Sequence, residues 1–277
     1  YPDESARASL KVFQDRSSQI RGIYFTRDRL EDIAKVENAG NYAIYFLLGN
    51  DDDEHPIPTI YVGQSKNGAG RIIDHKYKKT FWSHCIMFVS DNNAFDTNAI
   101  DYMEYYFIQK VISAGVYSVE NKDERKKEPN VSIYDKPTYD QYITQIEFLL
   151  QIEGVRLTLP TKKIAGKYYK LRGKGPSAQA YFQDGEFYLE VGSIIRPSAT
   201  KAESMKSAID RREEQIGLLL AEKKIAPSKD DGRYYEVLYP LSFKSPSTMA
   251  LFVLGRSANG WTEFVGIKEL RDSPVSE

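Results

Sequence analysis

Two side chains able to act on a phosphate follow an apolar segment in residues 60–76, IYVGQSKNGAGRIIDHK. Arg71 and His75 are four positions apart, so on a helix they lie on one face. An arginine fork can hold two phosphate oxygens, and an imidazole can transfer a proton near neutral pH. Gly68 and Gly70 would let the backbone turn tightly and approach a ligand. Spacing alone favours the plainer interpretation of two surface side chains on an amphipathic helix.

A carboxylate interrupts the apolar stripe of a later helix, predicted over residues 98–113. Glu104 falls among apolar residues that recur at helical spacing, namely Ile100, Met103, Phe107, Ile108 and Val111. A carboxylate that faces a core is costly unless it is paired or bound to a metal. A helix-edge glutamate paired with a lysine is one interpretation. Beside an arginine and a histidine, an inward carboxylate instead indicates phosphodiester chemistry with one divalent cation.

Residues 40–125 resemble the GIY-YIG nucleases, because the family's motif positions occur here in order. The two tripeptides that name the family correspond to Ala43-Ile44-Tyr45 and Tyr61-Val62-Gly63. Arg71 and His75 follow at the expected offset, and Glu104 lies on the later helix. Each tripeptide alone is a weak signal, whereas the ordered set is fairly specific.

The resemblance has departures and one ambiguity. Ala43 and Val62 replace the family's glycine and isoleucine, and the loop between the tripeptides is longer than usual. Asn121 fits the asparagine that closes the motif and would anchor the helix or the backbone, but Asn130 could fill the same role. Gly22-Ile23-Tyr24 spells the first tripeptide literally, yet no YIG-like segment follows at hairpin distance, so we reject it.

The resemblance implies hydrolysis of nucleic-acid phosphodiester bonds with one divalent metal, Mg²⁺ or Mn²⁺. Glu104 would hold that metal, and Arg71 would neutralise charge on the phosphoryl oxygens. Tyr45 would accept a proton from the attacking water, directly or through His75, while Tyr61 would orient the water or the phosphate. A phenol is a poor base at neutral pH, so the arginine and the metal would have to favour its phenolate.

Length and charge limit the class of protein. The chain has 277 residues, which favours two domains, and a formal net charge of −1, so any positive charge for a polyanion must be local. Its single cysteine, Cys85, excludes an intramolecular disulfide and a multi-cysteine zinc site, as expected in a reducing compartment. No signal peptide or membrane-spanning apolar run is visible. We therefore expect a cytoplasmic protein.

The pattern of predicted elements indicates an α/β (α+β) fold in two parts. Residues 1–39 are expected to be an N-terminal helical segment. Residues 40–125 would form the nuclease-like domain, with a small antiparallel or mixed sheet and flanking helices. A linker and a connecting helix would occupy 126–160, and a second α+β domain would occupy 161–277.

The second half resembles an uncharacterised domain that often follows GIY-YIG nucleases, over roughly residues 165–265. Two segments carry this resemblance, Ser245-Pro246-Ser247 and Leu254 to Trp261. An acid-free stretch at 161–177 also contains Tyr168 and Tyr169 among six cations: Lys162, Lys163, Lys167, Lys170, Arg172 and Lys174. Cations beside aromatic residues suit a nucleic-acid backbone. The alternative is an edge strand protected by lysines against aggregation.

Together these features predict a metal-dependent endonuclease that acts on DNA. Bacterial restriction or phage defence is the expected setting, by family association. The alternatives are a structure-specific repair or recombination nuclease and a catalytically silent DNA-binding protein with the same fold. The expected partners are DNA and no membrane, with a homodimer or an association with other defence proteins also open.

Overall fold

The computed structural model describes residues 9–49, 57–121, 127–158, 167–173, 177–183, 185–197 and 205–272. The chain divides into two compact units, Tyr1–Asn50 with Pro58–Leu159 and Asp51–Ile57 with Pro160–Glu277. Both units combine helices with antiparallel or mixed sheets. The mixed α and β class predicted from the sequence is therefore confirmed at this level.

The first unit is built on one sheet. Among the described residues its strands are β1 (Leu10–Gln14), β2 (Ile20–Thr26), β3 (Ala43–Gly49), β4 (Thr59–Ser65), β5 (Trp82–Ser90) and β6 (Ser118–Val119). Their order across the sheet is β1-β2-β5-β3-β4-β6. All neighbours are antiparallel except β4 and β6, which are parallel and pair at Thr59 and Ile60.

Helices cover both faces of this sheet. They are α1 (Leu30–Ile33), α2 (Gly68–Lys78), α3 (Thr97–Ala114) and α4 (Lys136–Ile152). Alternate residues of a strand point to opposite faces. Ile44 and Phe46 therefore join the core formed with α3 and α4, whereas Ala43, Tyr45 and Leu47 join the core formed with α1 and α2. The second of these cores also contains Cys85, which is fully buried in β5.

Between residues 9 and 26 the chain forms two strands and no helix, so the prediction of a helical segment over 1–39 was wrong for this part. After a hairpin, β2 pairs with β5 along its whole length and becomes an interior strand. A 3-10 turn at Arg27–Arg29 and the short α1 follow. The turn between β1 and β2 is stabilised by neighbouring residues. The Asp15 carboxylate accepts hydrogen bonds from the backbone N–H and the hydroxyl group of Ser17, which is a common turn pattern.

Helix α4 belongs to the first unit. The sequence predicts a linker and a connecting helix over residues 126–160. In the structure, the apolar side of α4 packs on the core shared with α3, through Tyr139, Ile143, Ile146, Leu149 and Leu150. The first unit therefore extends well beyond residue 125.

The second unit has two small sheets and a helical layer. Among its described residues, the four-stranded sheet has the order β13-β9-β8-β7 and the three-stranded sheet the order β10-β12-β11. The elements are β7 (Tyr169–Lys170), β8 (Gln179–Gln183), β9 (Glu186–Leu189), β10 (Ile194–Ile195), α5 (Lys206–Ala221), β11 (Ile225–Pro227), β12 (Tyr235–Val237), β13 (Leu241–Phe243), α6 (Pro246–Leu254), α7 (Gly260–Glu263) and α8 (Glu269–Asp272). No helix in the described part of the chain is both long and apolar enough to cross a membrane.

Candidate active site

Tyr45 and His75 form the centre of a polar cluster on the α2 side of the sheet. Tyr45 lies on β3 and His75 on α2, and their exposed fractions are only 1% and 4%. The Tyr45 hydroxyl and His75 Nε2 are 2.7 Å apart, which is a short hydrogen bond. A buried phenol is thus directly bonded to a buried imidazole.

Tyr61 completes an aromatic triangle with this pair. Its ring centroid lies 6.2 Å from that of Tyr45 and 5.3 Å from that of His75. Gly63 on β4 pairs with Tyr45 across the hairpin, and a Cβ at Gly63 would lie 2.5 Å from the Tyr45 hydroxyl. The glycine of the second tripeptide therefore leaves the space that the Tyr45 ring occupies.

Arg71 lies one turn before His75 on α2 and is exposed. Burial raises the pKa of Tyr45 well above its ordinary value, and Tyr61 adds to the rise. The charge of Arg71 and its hydrogen bond to Tyr45 lower that pKa, but they do not offset burial. At neutral pH Tyr45 is therefore a neutral phenol, and Arg71 alone does not favour its phenolate.

His75 is neutral at physiological pH. Burial lowers the pKa of His75 to about 4, and the charges of Arg71, Lys79 and Lys78 act in the same direction, against a smaller opposing effect of Asp74. Nδ1 of His75 is buried without a hydrogen-bond partner. A neutral imidazole has one donor and one acceptor nitrogen. Nε2 can therefore accept the hydrogen bond of Tyr45 while Nδ1 carries the ring proton.

Asn121 binds the backbone of β4 at Val62, the residue between Tyr61 and Gly63. Its Oδ1 accepts from the Val62 N–H at 3.1 Å, and its Nδ2 donates to the Val62 carbonyl at 2.8 Å. Asn121 is buried, whereas Asn130 is exposed and lies outside regular structure. Of the two asparagines that the sequence left open, Asn121 is the one that holds Tyr61-Val62-Gly63 in place.

Glu104 is buried on α3, as its position in the apolar stripe predicted, with an exposed fraction of 6%. Helix α3 covers the face of the sheet opposite Tyr45. Gln64 on β4 donates to Asp101 on α3 at 2.9 Å, and the C-terminal end of α3 leads to β6 beside Thr59. The helix thus runs antiparallel to β4, which places Glu104 beside the middle of that strand.

The structure thus brings Tyr45, Tyr61, Arg71 and His75 together on one face. Asn121 acts on the backbone of the same strand, and Glu104 comes from the helix on the other face. Among the described residues there is no group of three or more His, Cys, Asp or Glu side chains that could hold a metal ion. The sequence-based prediction that Glu104 holds a divalent cation thus stays a prediction, and no chelating cluster accompanies Glu104 in the described part of the chain.

Packing within the first unit explains Gly68, one of the two glycines before Arg71. Asn67 caps α2 by accepting from the Gly70 N–H, and Gly68 is already helical. A Cβ at Gly68 would lie 2.9 Å from both the Ala39 carbonyl oxygen and the Ala43 Cβ. The missing side chain of Gly68 therefore allows the start of α2 to pack closely against Ala39 and Ala43. This packing explains the glycine without a ligand.

Sequence reasoning missed Lys79, which borders the cluster. Its ammonium group lies 4.2 Å from the Tyr61 ring centroid and 3.5 Å from Glu120 Oε1. The continued spacing of four from Arg71 through His75 to Lys79 was the available signal. Arg27 was also missed, and it donates to the backbone carbonyls of Lys76 and Thr80 at 2.7 and 2.8 Å, which fixes the end of α2.

In the second unit, the most distinctive sequence segments are structural. Ser245 caps α6 by accepting from the Thr248 N–H, with Pro246 in the first turn. A Cβ at Gly260 would overlap the Pro246 carbonyl oxygen, so only glycine lets α7 approach the start of α6. Trp261 packs edge-on against Phe187, with their ring centroids 5.8 Å apart.

Comparison with known families finds one match in this part of the chain. Residues 169–269 match the family described as a domain of unknown function, DUF4357. This range is close to the 165–265 expected from the sequence, and it covers just over a third of the chain. The first unit has no match to the GIY-YIG family in that comparison. No curated protein and no solved structure matches the chain.

The predicted basic stretch overlaps the start of the DUF4357 segment. Lys162, Lys163 and Lys174 lie outside the described residues. Lys170 on β7 and Arg172 are exposed. Lys167 is also exposed, but it forms an ion pair with Glu269. The stretch is free of acids in sequence only, since folding brings an acidic residue from α8 to Lys167.

Proposed function

We propose that the first unit is a GIY-YIG-type endonuclease that hydrolyses DNA phosphodiester bonds with one divalent metal ion. The observation that carries this proposal is the 2.7 Å hydrogen bond between the buried Tyr45 hydroxyl and His75 Nε2. Burying two titratable groups together is costly, and the pair adds no apolar contact that Phe and Leu would not provide. Such a pair beside an exposed arginine suits proton transfer at a phosphate.

The fold offers independent support. The β3–β4 hairpin carries the two tripeptides on adjacent antiparallel strands, and α2 follows directly with Arg71 and His75. The next strand, β5, pairs with β3, and α3 then supplies Glu104. This succession of elements and residues agrees with what the family resemblance implies for a GIY-YIG fold.

Each side chain has a definite task in this proposal. The Arg71 guanidinium binds two phosphoryl oxygens and stabilises the charge that builds on them in the transition state. Tyr45 takes the proton of the attacking water while His75 Nε2 accepts the phenol proton, so Tyr45 does not have to persist as a phenolate. Tyr61 orients the water or the phosphate, and Asn121 fixes the backbone that carries Tyr61.

A magnesium ion is compatible with the residues present. Mg²⁺ keeps several water ligands and commonly binds one or two carboxylates together with substrate phosphates. A single buried carboxylate, Glu104, meets that requirement without a chelating cluster. The metal would supply Lewis-acid stabilisation at the phosphate and the leaving oxygen. Restriction or phage defence is the setting that we propose, on the strength of the family resemblance.

Cleavage of supercoiled plasmid with and without Mg²⁺ tests the activity. We expect metal-dependent nicks or breaks, and we expect Glu104→Gln to abolish them while DNA binding is kept. Glu31→Gln, an exposed glutamate on α1, is the matched control and should cleave normally. Cleavage by Glu104→Gln at the normal rate would remove Glu104 from the metal site.

Arg71 gives a second test of the same site. Arg71→Ala should lower the single-turnover rate by a factor on the order of 10² or more, the size seen when one preorganised charge donor is removed. Arg71→Lys should restore little, because lysine lacks the bidentate fork. If the protein binds DNA but none of its forms cleaves it, the silent DNA-binding alternative is correct.

A further inference from the structure

Lys79 is placed over Tyr61 by the end of α2. It is the C-terminal cap residue of the helix, and its N–H donates to the His75 carbonyl at 3.0 Å. Its own backbone is extended, with φ −132° and ψ 123°, so the chain leaves the helical path there. Its ammonium group lies 4.2 Å from the Tyr61 ring centroid, within the range of a cation–π contact.

The Lys79 side chain is largely buried. Only 13% of it is exposed, and its ionic partner Glu120 is 3.5 Å away and 43% exposed. Lysines often bury their stem along apolar surface, but the ammonium group of Lys79 also meets an aromatic face and a carboxylate. These two contacts hold the Lys79 side chain at the Tyr61 ring.

Lys79 also connects the two segments that hold the cluster. Glu120 immediately precedes Asn121, which binds both backbone groups of Val62. The path from Glu120 through Lys79 to Tyr61 therefore ties the end of α2 to the strand that carries Tyr61. On its other side, Tyr61 faces His75, with the ring centroids 5.3 Å apart.

We propose that Lys79 is a positioning residue of this site, whose ammonium group, anchored by Glu120, holds the Tyr61 ring against His75 and adds to the positive charge that acts on His75. The inference rests on the proposed nuclease function. It assigns Lys79 an effect on the Tyr45–His75 pair through Tyr61 and through charge, without contact with the substrate.

Charge at His75 supplies a readout that a structural role would not change. The pKa of His75 is lowered first by burial, then by Arg71, Lys79 and Lys78, while Asp74 opposes them. Two further titratable groups, Tyr45 and Tyr61, face the imidazole among the described residues. Removing the Lys79 charge should therefore raise the pKa of His75, and an arginine at this position should keep it low.

The experiment compares Lys79→Met, Lys79→Arg and Glu120→Gln with Lys66→Met, a control at an exposed lysine in the turn before α2. NMR titration of the histidine ring signals reports the pKa of His75, and the same spectra show whether each variant is folded. Single-turnover plasmid cleavage reports the rate. We expect Lys79→Met to raise the pKa of His75 and to lower the rate by about 10- to 100-fold, the size seen when partners that orient metal ligands are replaced. Lys79→Arg should restore both, Glu120→Gln should have a smaller effect, and Lys66→Met should have none.

Two outcomes separate this inference from the proposed function. If the unchanged protein cleaves DNA and folded Lys79→Met has the same rate and the same His75 titration, Lys79 has no role in the site and the nuclease proposal stands. If Lys79→Met does not fold, Glu120→Gln gives the test. A folded Glu120→Gln variant that cleaves at the same single-turnover rate as the wild-type protein would overturn the anchoring role of Glu120. If the unchanged protein does not cleave nucleic acid, the proposed function is wrong, and the role of Lys79 in it is overturned too.

Discussion

At the scale of single residues, the burial of His75 makes stability depend on pH. Its pKa is about 4 in the folded protein, against an ordinary value of 6.5. Between these two pH values the unfolded chain binds a proton that the folded chain does not. His75 therefore makes its full contribution to the free energy of unfolding above pH 6.5. This contribution is lost as the pH falls towards 4, so the protein becomes less stable.

The size of this effect can be measured by comparison with His75→Gln. At 1.36 kcal/mol for each pKa unit, His75 should remove on the order of 3 kcal/mol of stability by pH 4. Urea unfolding of both proteins between pH 4 and 7.5 gives a difference curve in which other titrating groups cancel. We expect the difference to change between pH 6.5 and 4 and to be flat above. A flat curve throughout would show that His75 titrates normally.

Residue types predicted which side chains lie together better than they predicted the ionisation of those side chains. The proximity of Arg71, His75 and the two tyrosines was predictable because the local spacing of four and the tripeptides are visible in the sequence. The raised pKa of Tyr45 and the lowered pKa of His75 were not predictable, because they arise from burial by several distant segments. Lys79 continues the spacing of four from Arg71 and His75, but its contact with the Tyr61 ring depends on how the end of α2 packs on β4.

At the scale of elements, Gly63 sets how closely Tyr45 fits on the hairpin. Gly63→Ala should place a methyl group 2.5 Å from the Tyr45 hydroxyl, displace that ring and cost about 1–3 kcal/mol. Gly217→Ala is the control, because Gly217 is an exposed glycine of α5 with nothing near its missing Cβ. It should stabilise the second unit by up to ~1 kcal/mol. Equal stability of Gly63→Ala and the unchanged protein would contradict the close fit.

Asn121 gives a second prediction for the same strand. Asn121→Ala leaves the N–H and the carbonyl of the buried Val62 without their partner, and each buried unsatisfied group costs about 1–3 kcal/mol. Asn130→Ala should change stability by less than ~0.5 kcal/mol, because Asn130 is exposed. Thermal unfolding measures both. A larger loss for Asn130→Ala would reverse the assignment of the closing asparagine.

Elements whose apolar residues recur at a regular spacing were predictable from the sequence. Elements whose structure depends on pairing with a distant strand were not. Helix α3 (Thr97–Ala114) follows the predicted 98–113 closely, and α4 (Lys136–Ile152) lies within the predicted 126–160. By contrast, β1 has mostly half-buried residues and no clear alternation. Mixed charge there suggested a helix, whereas the pairing of β2 with β5 decides the structure. A literal Gly22-Ile23-Tyr24 thus lies inside the sheet, with Tyr24 packed on the face opposite Tyr45.

At the scale of the whole molecule, the two units can be followed separately. The chain has two tryptophans, with Trp82 in the first unit and Trp261 in the second. A Trp261→Phe background leaves Trp82 to report the first unit, and Trp82→Phe does the reverse. The stability changes predicted for Gly63 and Gly217 should then each appear in one fluorescence signal only.

The DUF4357 segment should contribute affinity for DNA without chemistry. Each cation that contacts a phosphate adds about −0.9 to the slope of log affinity against log salt on duplex DNA. Replacing Lys170 and Arg172 with alanine should weaken binding and flatten that slope by up to about two such increments. Lys167→Ala should have less effect, because Lys167 is already paired with Glu269.

Fluorescence anisotropy at several salt concentrations measures these slopes in the full chain. The control replaces Lys206 and Lys229, two exposed lysines elsewhere in the second unit, and removes the same charge. An equal slope for both double variants would mean that only net charge matters. A collapsed single-turnover rate at saturating protein would show that Lys170 and Arg172 act in the chemistry.

Cys85 makes the central sheet of the first unit accessible to kinetic measurement. It is the single thiol of the chain and is fully buried in β5, in the same core as Tyr45, and burial raises its pKa well above the ordinary value. A thiol reagent can therefore react only during openings that expose β5. Its rate of alkylation under native conditions thus reports how often the strands around Tyr45 separate, without any label or engineered probe.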